Sequence, residues 1–177
     1  MSTILLGFSA DPIERWLWPE AKDYLNCIPL YDAFAGGAIT AGSAYVTDNF
    51  ESVALWFPPG EGPNEEKVIE ILNSTVKEDT LKDAIIMFEA MDEFHPDEPC
   101  WYLPLIAVDP AHQGCGFGTE LMKRALNRCD QDGLPAYLES TNPRNISLYE
   151  RYGFEKMGEV QTGSSPVMTP MIRSPRK

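Results

Sequence analysis

Seven consecutive residues in the second half of the chain, from Gln113 to Thr119, have the side-chain types and spacing of an anion-binding loop. Their glycines allow the backbone to come close to a ligand, so that several N–H groups can point at one spot. A helix predicted directly behind them adds roughly half a positive charge at its first turn. The segment therefore predicts a pyrophosphate site, formed by Gln113, Gly114, Cys115, Gly116, Phe117, Gly118 and Thr119.

Two elements must position this loop. The apolar run from Trp101 to Val108 predicts a strand that is buried on both faces, and Asp109-Pro110 ends it because proline has no N–H for a strand ladder. The residues from Thr119 to Arg128 predict an amphipathic helix, since their apolar side chains recur on one face. Strand, glycine turn and helix together are a recurrent way to hold a pyrophosphate.

Two familiar phosphate-binding motifs do not fit. A dinucleotide-binding turn requires Gly-x-Gly-x-x-Gly, whereas the glycines here lie at positions 114, 116 and 118. The phosphate-binding loop of nucleoside triphosphatases requires Gly-Lys-Ser/Thr, and no lysine follows Gly118. A glycine turn that only joins the strand to the helix remains as a structural alternative.

A third pattern fits at every position. It is Arg or Gln, two residues, Gly, one residue, Gly or Ala, and here it is supplied by Gln113, Gly116 and Gly118. Asn145 and Tyr149 match a second signature, in which an Asn precedes a short helix that carries a Tyr and ends at Gly153-Phe154. With these motifs the chain resembles the GNAT N-acetyltransferases over nearly its whole length.

The resemblance implies an α/β (α+β) fold, with one domain over residues 1–177 and a mixed central sheet flanked by helices. It also implies acetyl-CoA as cosubstrate, its pyrophosphate bound by the glycine loop, and an amine as acceptor. Pro104 supports the resemblance, because a proline inside a central strand requires a bulge or a parting from the neighbouring strand. In this family the pantetheine arm enters such a parting. Further coenzyme-binding residues are then Ile106, Ala107, Val108, Asn142, Asn145 and Tyr149.

Catalysis of acyl transfer requires a neutral amine, a donor to the oxyanion and a proton for the leaving thiolate. Tyr149 matches the proton donor of the family, although it could also be a packed helix aromatic. Either Glu98, ahead of the strand, or Glu139, on the next strand, could be the base, directly or through water. Cys115 is rejected as a nucleophile, because direct attack in a ternary complex needs no acyl-enzyme.

Composition excludes several classes. A net charge of −13 argues against nucleic acid as a partner. The sequence contains no run of about 18 apolar residues, so it predicts no membrane span. Four cysteines without paired spacing and two scattered histidines predict reduced thiols, no metal site and a cytoplasmic location. A homodimer is left open.

Acidic residues are concentrated between Glu61 and Glu98, a segment that contains twelve acids and only three lysines. This half could attract a cationic amine, or the acids could simply face water on helices. A CoA-binding sensor or interaction module without catalysis, and transfer of a longer acyl group, are the alternative functions.

The remaining segments predict the frame around the site. Helices are expected from Pro12, over Glu20–Leu25, over Asn64–Asn73 and over Asp79–Phe94. Gly36-Gly37 is expected to begin a loop, and the first strand, for which only Thr3–Leu6 is available, is expected to be short or missing. The other predicted strands are 43–47 and 52–57 as a hairpin, 136–141, and a closing pair at 154–162 and 167–173.

Overall fold

A computed structural model describes residues 1–176, which form one mixed sheet flanked by α-helices. The strands are β1 (Ala44–Val46), β2 (Ser52–Phe57), β3 (Trp101–Val108), β4 (Ala136–Ser140), β5 (Glu155–Lys156) and β6 (Thr169–Arg173). The helices are α1 (Ser2–Phe8), α2 (Pro12–Leu17), α3 (Ala21–Tyr24), α4 (Ile28–Thr40), α5 (Glu65–Thr75), α6 (Glu78–Asp92), α7 (Phe117–Asp132) and α8 (Ile146–Arg151).

The sheet has the order β1-β2-β3-β4-β6-β5, and only β3 and β4 run parallel to each other. Helix α7 connects these two strands, as a parallel pair requires. The hairpin of β1 and β2 is confirmed, and so are the antiparallel closing strands, although β5 is shorter than predicted. The mixed sheet with flanking helices confirms the predicted fold class.

Helix α7 covers one face of the sheet. Its buried side chains recur three and four residues apart, from Leu121 to Cys129, and pack on Trp101 and Leu103 of β3. Glycines in the left-handed conformation bound the helix, Gly116 at its N-cap and Gly133 at its C-cap. Removing such side chains from water stabilises the fold by about 1.5–3 kcal/mol each, so α7 is held firmly behind the loop.

Strand β3 is irregular at Pro104. Between Leu55 and Phe57 the strand β2 advances two residues, while β3 advances three, from Leu105 back to Tyr102. The extra residue is a β-bulge, and it turns the side chains that follow it to the opposite face. Accordingly Leu103 packs in the α7 core, while Leu105 packs in the core on the other face.

Pairing between β3 and β4 also stops at this position. The parallel register includes Leu103 with Leu138 and goes no further, so both explanations of Pro104, a bulge and a parting, are confirmed. The prediction that β3 is buried on both faces is wrong for alternate residues. Ile106 and Val108 are only half-buried, because they border the space that the parting opens.

Within residues 1–176, the segment expected to supply the first strand forms a helix instead. Ser2–Phe8 forms α1, which lies so close to β3 that a side-chain carbon on Gly7 would come within 2.8 Å of the Ala107 Cβ. Helix α2 begins as expected, since the Asp11 carboxylate accepts hydrogen bonds from the N–H groups of Ile13 and Glu14. The N-terminal segment therefore packs on β3 from the face opposite α7.

The predicted loop at Gly36-Gly37 is wrong, since both glycines lie inside α4. A close approach explains the choice of residue. A Cβ on Gly37 would lie 2.6 Å from the Gly62 carbonyl oxygen and 2.8 Å from the Phe57 ring, whereas a Cβ on Gly36 would meet nothing within 4 Å. Glycine at position 37 thus serves packing rather than a turn.

These two neighbouring positions should respond oppositely to the same substitution. Gly36→Ala should stabilise the protein by about 0.4–1 kcal/mol, because alanine restricts the unfolded chain and favours a helix. Gly37→Ala should destabilise it by about 1–3 kcal/mol through overpacking. Urea denaturation of both variants measures this, and equal stability changes would contradict the assignment of both glycines to α4.

Candidate active site

A cleft of about 660 Å³ lies where β3 and β4 part. The walls are formed by the loop from Gln113 to Thr119, both strands, the segment around α8 and the end of α1. Of the residues predicted to bind the coenzyme, the cleft is lined by Ile106, Ala107, Val108, Gln113, Gly114, Gly116, Phe117, Gly118, Thr119, Asn142, Asn145 and Tyr149. Cys115 is exposed and lies outside this lining.

The loop before α7 has an open backbone. Gly114 and Gly116 have φ angles of 79° and 91°, which favour glycine, and a Cβ at either position would meet nothing within 4 Å. Gly116 is the N-cap of α7 and brings no side chain over the first free N–H groups of the helix. Asp109 fixes the start of the loop, because its carboxylate accepts a 2.8 Å hydrogen bond from the Ala111 N–H. This end of the cleft suits a pyrophosphate.

Tyr149 lies on α8 and reaches the cleft from the α7 side of the sheet. It is only 5% exposed, and its ring packs edge-on against Phe154 at a centroid distance of 6.1 Å. Burial, and next the charge of Asp11, raise the pKa of the Tyr149 phenol above its usual value. The phenol therefore keeps its proton at neutral pH and is available as a proton donor.

Asn145 occupies the N-cap position of α8, but its side chain makes no capping hydrogen bond there. Asn142 has this role instead, at a short 3₁₀ turn that leads into α8, where its side chain accepts from the Arg144 N–H at 3.1 Å. Arg144 and Arg151 also line the cleft and were missed from the sequence. Their signal was the basic side chains within the second signature, which suit a phosphate-bearing ligand.

The structure separates the two candidate bases. Glu139 is half-buried on β4 and lines the cleft, whereas Glu98 is exposed in a second pocket of about 300 Å³ beside His95 and Tyr102. Burial raises the pKa of Glu139 to about 7, against the opposing effect of the nearby hydroxyls of Tyr102 and Tyr137. Glu139 and Tyr149 thus share one cleft, and Glu98 does not.

A carboxyl that was not predicted to belong to the site, that of Asp11, also lines the cleft. The Asp11 carboxylate accepts a hydrogen bond from the Thr141 hydroxyl at 2.5 Å, which ties the start of α2 to the end of β4. Burial raises the pKa of Asp11, and burial with the charge of Asp11 raises the pKa of Glu14 to about 8. A long-range contact of this kind leaves no signal in the sequence.

Within residues 1–176, none of the twelve acids from Glu61 to Glu98 lines the cleft, and most of them lie on the exposed faces of α5 and α6. The same residues contain no group of three or more His, Cys, Asp or Glu side chains placed to hold a metal ion. No described helix is long and apolar enough to cross a bilayer.

Comparison with known proteins identifies the class that this fold and cleft define. Residues 14–154 match the model of the acetyltransferase (GNAT) family, and the chain belongs to that family. An uncharacterised N-acetyltransferase of Schizosaccharomyces pombe is 34% identical over 130 residues, which cover 68% of this chain and 47% of the relative. An acetyltransferase of Agrobacterium fabrum is 35% identical over 65 residues, or 36% of this chain and 47% of the relative. The chain thus spans about half the length of these curated relatives.

Solved structures show the same fold at low sequence identity. A structure described as histone acetyltransferase HPA2 and related acetyltransferase, from Corynebacterium glutamicum, has a TM-score of 0.69 and 22% identity, covering 99% of this chain and 89% of its own. The polyamine N-acetyltransferase of Drosophila melanogaster has a TM-score of 0.67 and 12% identity, covering 98% and 91%. As the family implies acetyl-CoA as cosubstrate, the open loop and the parted strands are the features that suit it.

The loop assignment can be tested with two glycines of similar backbone conformation. Gly116→Asp would place a carboxylate over the α7 N-terminus, so thermal stabilisation by acetyl-CoA should be lost. For wild type the gain is about 2.7 kcal/mol at a ligand concentration of 100 times Kd. Gly42→Asp is the control, because Gly42 also has a positive φ, 67°, and open surroundings but lies outside the cleft. Undiminished stabilisation of Gly116→Asp by the ligand would refute the site.

Proposed function

We propose that the protein transfers an acetyl group from acetyl-CoA to a primary amine by direct attack within a ternary complex. The observation that carries the proposal is the cleft at the parted strands, with an open anion-binding loop at one end and Glu139 and Tyr149 in its walls. An acceptor and a thioester held together in one cleft gain most of their rate from proximity.

The coenzyme would be held by backbone more than by side chains. N–H groups of the loop from Gln113 to Thr119 would bind the pyrophosphate, with Arg144 and Arg151 nearby as counter-charges. The edge of β3 beyond Pro104 has no β4 partner and so has amides to offer the pantetheine arm. Amides of Leu105 to Ala107 are the candidate donors to the oxyanion.

Two side chains then move protons. Glu139, with its pKa near neutrality, would accept a proton from the amine as its nitrogen bonds to the acetyl carbon. The carbon–sulfur bond breaks, and Tyr149 would give its proton to the departing thiolate. The products are an acetylated amine and free CoA, and the two side chains are reset through solvent.

The charge of the acceptor is a separate proposal. The acids of the Glu61–Glu98 segment do not enter the cleft, although Glu61, Asp97 and Glu98 line the neighbouring pocket of about 300 Å³. Inside the cleft the carboxyls are Asp11 and Glu139. A cationic amine therefore remains the acceptor that we propose, with Asp11 as a second carboxyl in the cleft beside the base.

Turnover separates the proposal from the alternative of a CoA-binding module without catalysis. Release of free thiol from acetyl-CoA is measured with a panel of amines of different charge. A protein that binds acetyl-CoA but releases no thiol with any amine would overturn the proposed reaction, while leaving the cleft as a binding site.

Tyr149→Phe tests the proton donor, because it removes one hydroxyl and keeps the ring that packs on Phe154. Turnover should fall by a factor of about 10²–10⁴, the usual worth of a placed acid, while the affinity for acetyl-CoA changes little. Steady-state kinetics and calorimetric titration measure the two quantities. A loss below about threefold, in an assay limited by chemistry, would reduce Tyr149 to a packing residue.

A further inference from the structure

Two tyrosines stand side by side immediately before the strands part. Tyr102 of β3 and Tyr137 of β4 are direct partners in the parallel register, and their ring centroids are 5.9 Å apart. Tyr137 is fully buried and Tyr102 is half-buried. The His95 ring packs edge-on against both, with centroid distances of 5.5 Å to Tyr102 and 4.8 Å to Tyr137.

Glu139 follows Tyr137 by two residues, so its side chain lies on the same face of β4. Pairing with β3 ends at Leu138, and Glu139 therefore has no β3 residue opposite it and faces the cleft. On its other side Glu139 pairs with Pro170 of β6, which carries no charge. The two tyrosines are thus the polar neighbours that β3 and β4 present to this carboxylate.

The Tyr137 hydroxyl is buried and makes no hydrogen bond of ordinary geometry with the described residues. It nevertheless lies close enough to Glu139 to lower the pKa of that carboxyl, as does the Tyr102 hydroxyl. A buried donor without a partner is costly, and a small rotation toward an ionised carboxylate would satisfy it. A buried hydroxyl at this position is therefore best explained as a donor to the Glu139 carboxyl when that group becomes charged.

We propose that Tyr102 and Tyr137 are positioning residues, which hold the Glu139 carboxylate in its ionised form and direct it toward the amine. This inference rests on the proposed function, in which Glu139 is the base. Burial raises the pKa of both phenols, so they keep their protons and can donate hydrogen bonds to the carboxylate. A donor pair of this kind stabilises the carboxylate over the carboxylic acid.

Other groups around Glu139 act in the opposite sense. The charge of Asp92 on α6 raises the pKa of Glu139, and Glu139 in turn raises the pKa of the Cys100 thiol. Asp11 of the N-terminal segment adds a further carboxyl to the same cleft. Since burial and the charge of Asp92 disfavour ionisation, loss of the two phenol donors should raise the pKa of Glu139 and leave more of the base protonated at neutral pH.

The test removes the hydroxyls alone, in Tyr102→Phe, Tyr137→Phe and the double variant, and follows kcat/KM for the amine against pH. Loss of either hydroxyl should move the acid limb of the kcat/KM profile upward by about half a pH unit, and loss of both should move it by about one pH unit. Below the limb the double variant should then lose about tenfold in rate, and above it almost nothing. Tyr45→Phe is the matched control, since Tyr45 lies on β1 and away from Glu139.

A second readout does not depend on turnover. The Glu139 carboxyl carbon is titrated by NMR in glutamate-labelled protein and assigned with Glu139→Gln, and its pKa should rise in the phenylalanine variants. An unmoved Glu139 pKa, or a rate loss that is equal at every pH, would overturn the proposal. If Tyr137→Phe does not fold, Tyr102→Phe decides, because that side chain is less buried. A third outcome combines two results: the pKa of Glu139 rises in the phenylalanine variants, but Glu139→Gln keeps full activity. That outcome would reject Glu139 as the base and retain the two tyrosines as the residues that position its carboxylate.

Discussion

The structure depends on one conflict within β3. Pro104 has no N–H to donate, and the strand carries an extra residue at the same place, so it cannot stay paired with both of its neighbours. It remains paired with β2 and separates from β4. The separation leaves backbone groups of the two strands without mutual hydrogen bonds, and such groups need a partner in the folded protein. A ligand with amide groups of its own can be that partner.

The remaining elements gain their positions from this parting. Helix α7 begins at the open end of the gap, with Gly116 leaving its first N–H groups accessible. Tyr149 approaches from the α7 side, while Glu139 faces the other side beyond Tyr137. Asp11 is tied to Thr141 across the gap. The loop before α7 and the side chains of Tyr149 and Glu139 thus meet in one cleft because two strands diverge.

Much of this could be predicted from the sequence because the signals are local. The strand, the glycine loop and α7 follow one another directly in the sequence. Pro104 predicts a bulge or a loss of pairing even when the neighbouring strands are unknown. Predictions that needed distant contacts were wrong or incomplete. Gly36-Gly37 reads as a loop unless one knows that the Gly62 carbonyl lies against Gly37.

The two candidate bases show the same limit. Glu98 and Glu139 are equally plausible by position in the chain, yet the turn after α6 places Glu98 in a separate pocket. Asp11 enters the cleft only through its contact with Thr141, which is 130 residues away.

Amide hydrogen exchange, measured by mass spectrometry with and without acetyl-CoA, tests the parted strands most directly. Exchange should slow in peptides that cover Leu105–Val108 and Gln113–Thr119, and stay unchanged in the β1–β2 hairpin. Protection that leaves out the Leu105–Val108 peptides would contradict the account.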